Sequence, residues 1–256
     1  MAERGRYLYA VTRGLTGDQL AGAHGLADAP LTTVEHDGLV AVVSDVDLDE
    51  YGEEGLRRNL ERMEWLEQVA RRHDEVVHAV AERGPVAPLR LATICLGDEG
   101  VRHRLVEWHD ALAEVLDRVE GRREWSVKAF AARAAETRSE PTAEVGATGG
   151  GAAYLRRKKE QTLSRAQGEE AALRVAEQVH ARLSAHAAAS RRLAPQDPRL
   201  TGHTGTMTLN SAFLVDESRE PAFVEEVQAL QSEHPDAGLE LAGPWPPYSF
   251  AVLDQA

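Results

Sequence analysis

The alternation of apolar and polar positions divides the chain into short strand-like runs and longer helical stripes. Residues 6–11 have the aromatic and aliphatic content of a strand. Residues 14–29, rich in Gly, Ala and Asp, predict a short helix and a loop. Two strand-like runs, 31–36 and 39–44, flank Asp37-Gly38. Both turn residues tolerate positive φ, so the pattern predicts a β-hairpin. An acidic stretch, 45–54, leads into a predicted helix over 53–83 with the stripe Leu56, Leu60, Met63, Leu66, Val69, Val76 and Val80, broken at His73. Gly84-Pro85 stops it. Residues 86–96 predict a buried strand with an irregularity at Pro88. A second helix is predicted over 99–120 from Val101, Leu105, Trp108, Leu112, Val115 and Val119, ended by Gly121. Residues 124–130 then alternate as a strand.

The remainder repeats the theme. Residues 133–151, with Pro141 and Gly149-Gly-Gly151, predict a flexible connection. A long Ala-, Arg- and Glu-rich helix is predicted over 152–190, with Gly168 as a place to bend. A loop (194–205), a strand (206–215), a helix (221–233) with Pro221 in its first turn, and a strand (238–242) follow. Gly243-Pro-Trp-Pro-Pro-Tyr-Ser-Phe250 comes next; its prolines fix φ and remove backbone donors. It predicts a corner, anchored by Trp245 and Tyr248, that leads into a last strand. The β–α–β–α–β order from Trp125 onward fits a split βαβ arrangement. The predicted class is α+β, with two mixed domains, 1–120 and 121–256. The second is expected to be a ferredoxin-like sandwich carrying the long helix.

Composition narrows the function. A net charge of −13 argues against wrapping a nucleic-acid backbone. A single cysteine, Cys95, rules out an internal disulfide or a Cys-based zinc site and fits a reducing cytosol. No apolar run approaches the roughly 20 residues of a membrane helix. The N-terminal residues read as a strand rather than a signal peptide.

Candidate chemistry is sparse. Asp45-Val-Asp47-Leu-Asp49 opens like a calcium loop, but Glu50 replaces the required glycine and Leu56 the closing glutamate. Carboxylates ahead of a helix instead favour its positive end. Gly146-Ala-Thr-Gly-Gly-Gly151 lacks the Lys-Ser/Thr that closes a phosphate loop. The histidine pairs 73/78, 103/109 and 180/186 miss the i, i+4 spacing of a helical metal site. His73 reads as a hydrogen-bonded residue at the edge of a core. No catalytic triad, cofactor motif or metal set is legible. Two features suggest recognition: Tyr154 with the basic run Arg156-Arg157-Lys-Lys159, suited to an acidic partner, and Trp245 with Tyr248 in the proline-rich corner.

Several strings together resemble the gas vesicle accessory family GvpF/GvpL. They are Tyr7-Leu-Tyr9, Pro88-Leu-Arg90 with Thr93-Ile94, Glu124-Trp-Ser-Val-Lys128, Gly150-Gly-Ala-Ala-Tyr-Leu155 with the basic run, Asn210-Ser-Ala-Phe-Leu-Val215, and Gly243-Pro-Trp-Pro-Pro-Tyr-Ser-Phe250. Leu91-Ala92 stands where the family has Phe-Gly, and Ser126 where Gly is usual. The resemblance implies a non-enzymatic protein of gas vesicle assembly without a cofactor. It implies binding to the hydrophobic shell protein GvpA and to other Gvp accessory proteins, in the cytoplasm or as a minor vesicle component. It also implies two α+β domains. The competing expectation is a protein that binds a phosphate-containing small molecule, or an enzyme, on the ferredoxin-like fold, motivated by Gly149-Gly-Gly151 ahead of a basic helix start.

Overall fold

A computed structural model describes residues 4–131, 150–197 and 205–251. Strand β1 (Arg4–Thr12) is almost wholly buried and occupies the middle of the first sheet. It pairs antiparallel with β3 (Leu39–Asp47) on one side, and with β4 (Val86–Pro88) and β5 (Ile94–Cys95) on the other. Strand β2 (Thr32–His36) completes the order β2-β3-β1-β4. The β2–β3 hairpin turns on Asp37 (φ 44°) and Gly38 (φ 78°), with His36 opposite Leu39. Positive φ at both positions matches the turn's twist to that of the strands, as the Asp-Gly pair anticipates.

The helix expected over 53–83 is three pieces: α1 (Leu48–Tyr51), α2 (Glu53–Asn59) and α3 (Met63–Ala81). Extended backbone at Gly52 and Arg62 makes the breaks. The Asp47 carboxylate accepts from the Asp49 amide at 2.9 Å and caps α1, the role of the acidic stretch that reasoning from helix ends favoured. Leu60 and Met63, placed on the apolar stripe by periodicity, are 45% and 73% exposed. Trp65, Val69, His73, Val76, Val77 and Val80 turn inward instead. The helix expected over 99–120 breaks at Trp108 into α4 (Gly97–Glu107) and α5 (His109–Val119). The strand expected over 86–96 survives only as β4 and β5, because Ala92 between them adopts a left-handed conformation (φ 63°). The core of this part gathers Tyr7, Tyr9, Tyr51 and Trp65 with the valines of α3.

The second sheet runs β7-β8-β6-β9. Its elements are β6 (Arg122–Ala131), α6 (Gly150–Ser184), β7 (Ala189–Arg192), β8 (Thr206–Asp216), α7 (Glu220–Glu233) and β9 (Glu240–Trp245). Val127 and Ala129 of β6 and Leu209, Phe213 and Val215 of β8 alternate onto one face. They meet Ala176, Val179 and Leu183 of α6 and Phe223, Val227 and Leu230 of α7. The expected α+β class therefore holds. Strand β7 is an addition: the helix expected to reach residue 190 stops at Ser184, and the chain turns back to pair with β8. Helix α6 continues through Gly168. Most of the connection expected over 133–151 lies outside the described residues.

The chain separates into two compact units, Met1–Glu124 with Pro244–Ala256, and Trp125–Gly243. The residues after Gly243 thus group with the first unit, whereas sequence reasoning assigned them to the second. The last strand expected after the proline corner is a turn. Tyr248 N donates to the Pro246 carbonyl (2.8 Å), and Phe250 and Ala251 amides donate to Pro247 (3.1 and 2.9 Å). Pro246 and Pro247 have no amide hydrogen to extend a ladder, so local carbonyls take the bonds.

Candidate functional site

The residues that carry the aromatic and proline motifs converge on one side of the first unit. Tyr7 and Tyr9 are neighbours along buried β1, with ring centroids 4.8 Å apart. A buried hydroxyl needs a partner, and each has two. The Tyr7 hydroxyl accepts from the Ala92 amide at 3.0 Å and lies 3.1 Å from His73 Nδ1. The Tyr9 hydroxyl accepts from the Leu26 amide at 2.7 Å and lies 2.7 Å from Ser44 Oγ. Burial drives the Tyr7 and Tyr9 hydroxyls to higher pKa and lowers that of His73 to about 4. His73 is therefore a neutral, hydrogen-bonded core residue on the buried stripe of α3, where the sequence reading placed it at the edge of a core.

The proline corner docks on α3 and on the start of β6. The Tyr248 hydroxyl donates to Asp74 Oδ1 at 2.9 Å, and Asp74 Oδ2 lies 3.3 Å from His78 Nδ1. Trp245 meets the His78 ring edge-on at 6.0 Å. Burial, then the neighbouring Asp74 carboxylate, raises the Tyr248 pKa. One residue on, Ser249 donates twice to buried Glu124, from its amide (2.7 Å) and its hydroxyl (2.6 Å). Arg118 donates to the Phe250 carbonyl at 3.3 Å. The corner is thus held by two carboxylates at the adjacent residues Tyr248 and Ser249. Trp245 and Tyr248 nevertheless remain 42% and 36% exposed.

Beside Tyr248 lies a cleft of about 640 Å³, bounded by α3, the 88–94 segment, Arg104 and Trp108. A second cleft, of about 700 Å³, lies between the 25–28 loop and the α1–α3 segment, with Tyr51 and Trp65 in its wall. Among the described residues no group of three or more His, Cys, Asp or Glu side chains is placed to hold a metal ion. Cys95 is buried, and burial raises its pKa, so it is a poor nucleophile.

The five residues singled out by sequence fall into two groups. Trp245 and Tyr248 sit together on the corner. Tyr154, Arg156 and Arg157 lie in the first turns of α6, where Arg156 is exposed and the side chains of Tyr154 and Arg157 fall outside the described residues. The glycine run that motivated a phosphate site lies outside them up to Gly149. Asp74, Glu124 and Arg90 were not singled out for a role. Glu124 and Arg90 stand inside matched strings, but nothing local distinguishes a buried, bonded carboxylate from 42 acidic residues.

Comparison with known proteins agrees along the whole chain. The family described as "Gas vesicle synthesis protein GvpL/GvpF" matches residues 5–252. Gas vesicle protein L of Streptomyces sp. (strain CB03234) is 40% identical over 252 residues, covering 98% of this chain and 94% of that one. The crystal structure of GvpF from Anabaena sp. PCC7120 superposes with a TM-score of 0.67 at 22% identity, covering 98% of both chains. That of GvpF from Microcystis aeruginosa gives 0.66 at 21% identity, covering 97% of this chain and 99% of that one. These two structures speak to the fold.

Proposed function

Since the chain belongs to the GvpL/GvpF family of gas vesicle synthesis proteins, we propose that it is a non-enzymatic assembly factor that binds the hydrophobic shell protein GvpA and other Gvp accessory proteins. It would work in the cytoplasm and on the growing vesicle. Family membership supports the role in gas vesicle assembly, and the match along nearly the whole chain is the observation that carries it. The non-enzymatic reading is supported by how the reactive groups are used. His73, Asp74 and Glu124 each hold another element of the fold in place.

A protein that keeps an apolar subunit soluble needs a charged exterior and an apolar docking surface. The net charge of −13 provides the first. The exposed faces of Trp245 and Tyr248, fixed by Asp74 and Glu124, are a rigid aromatic candidate for the second. The basic turn of α6 around Arg156 is a candidate contact for an acidic accessory protein.

Co-expression with the cognate shell protein followed by affinity capture tests this reading. Capture is expected, and Trp245→Ala should weaken it while leaving the thermal midpoint nearly unchanged. No capture of any Gvp protein, together with normal vesicles in a strain lacking this chain, would refute it.

A further inference from the structure

The cleft beside Tyr248 has a positive balance of charge in an acidic chain. In a chain with 42 acidic and 29 basic residues, two arginines, Arg90 and Arg104, line it. Arg104 is committed: it pairs with Glu107 at 2.8 Å and lies over the Trp108 ring at 5.1 Å. Asp74, the acidic residue lining the cleft, is tied to Tyr248 and His78. Arg90 is different. It is exposed, and among the described residues its guanidinium forms no hydrogen bond or ion pair.

The segment presenting Arg90 is held rigidly. The Leu89 amide donates to the Tyr9 carbonyl (2.9 Å), the Ala92 amide to the Tyr7 hydroxyl (3.0 Å), and the Leu8 amide to the Thr93 carbonyl (2.9 Å). The Arg90 carbonyl accepts from both the amide and the hydroxyl of Thr93 (3.2 and 2.7 Å). With its backbone already fixed, Arg90 has only side-chain freedom to lose on meeting a carboxylate, which its guanidinium can grip through two parallel bonds. Leu91, Ile94 and Trp108 supply half-buried apolar surface beside it. The volume of about 640 Å³ suits a few side chains of an extended segment.

We propose that this cleft is a docking site for an acidic, aliphatic segment of a protein partner, with a carboxylate on Arg90 and neighbouring apolar side chains against Leu91, Ile94 and Trp108. The inference rests on the assembly reading only in taking the ligand to be a protein.

An immobilised array of decapeptides with fixed apolar content and acidic, neutral or basic polar positions, probed with the full chain at low salt, tests it. Retention should favour the acidic apolar set. Arg90→Glu should weaken it about tenfold and Arg90→Lys much less, with thermal midpoints unchanged. Equal retention of the three sets, retention of acidic peptides stripped of apolar residues, or insensitivity to Arg90→Glu would each overturn the proposal. Full displacement by citrate alone would show a small-anion site and overturn it as well. Shell-protein capture run in parallel separates the two readings: its failure removes the assembly role, whereas array failure with capture intact removes only the cleft.

Discussion

His73 makes the stability of the first unit depend on pH in a direction the structure fixes. In the neutral ring, Nδ1 accepts from the Tyr7 hydroxyl, and the other nitrogen donates to the Leu89 backbone. The Tyr7 oxygen already accepts from Ala92, so its proton is available to His73. Protonating Nδ1 would set two donors against that oxygen and leave the Tyr7 proton unpartnered. Burial therefore lowers the His73 pKa from 6.5 to about 4, against a small opposing pull from Asp74. The folded value lies below the unfolded one, so this contribution is complete above pH 6.5 and is lost as pH falls toward about 4. The gap amounts to about 3 kcal/mol in full and about 2 kcal/mol by pH 5. Denaturant titrations read through the α3 amides at a series of pH values should show that loss in the parent protein. His73→Gln should remove it, leaving only the slope from other groups. Histidine ring shifts in the intact protein give an independent reading, with His73 titrating near pH 4. A midpoint near 6.5, or equal slopes in parent and variant, would refute the reasoning.

Ala92→Gly should raise the thermal midpoint by about 2 °C, because left-handed backbone costs an L-residue about 1–2 kcal/mol and the freedom glycine gains on unfolding returns about half of that; a fall, read by calorimetry, would contradict it. Gly25→Ala should cost about 2–3 kcal/mol, since the new methyl would overlap the Tyr9 hydroxyl and sit 2.8 Å from Ser44 Oγ; chemical unfolding measures this. Glu124→Ala should cost about 2–4 kcal/mol and Ser249→Ala about 1 kcal/mol, because only the first leaves the Ser249 amide without its acceptor. Faster amide exchange at 248–251 in the Glu124 variant should accompany the loss.

Much of the fold was legible where local chemistry and tertiary demand agree. Asp37-Gly38 makes the hairpin because both residues tolerate the turn's positive φ. Strand β8 and helix α7 carry clean periodicity, and both are observed. The departures have physical causes. Periodicity put Leu60 and Met63 on the buried stripe, but the chain breaks at Arg62 and sets a new phase, so Trp65 fills the core instead. Strand β7, Ala189-Ser-Arg-Arg192, has no strand propensity and exists through pairing with β8. Ala92 looked like a conservative departure from the family's glycine; its φ of 63° shows what that position demands. For the site, the aromatics beside the prolines stood out. Their partners did not, because Tyr248 reaches Asp74 across 174 positions and Ser249 reaches Glu124 across 125.

The attachment of the proline corner to α3 and Glu124 also governs the order in which this protein can mature. The first unit is written in two instalments, with the whole of the second unit synthesised between them. A nascent chain can fold residues 125–243 while Asp74 and Glu124 still lack Tyr248 and Ser249. The first unit gains these contacts only once residues 244–251 have been made. A polypeptide interrupted before Tyr248 would keep its hairpin and both sheets' central strands, yet present an unlatched α3. The latch at Tyr248 and Ser249 therefore forms after the second unit has been made.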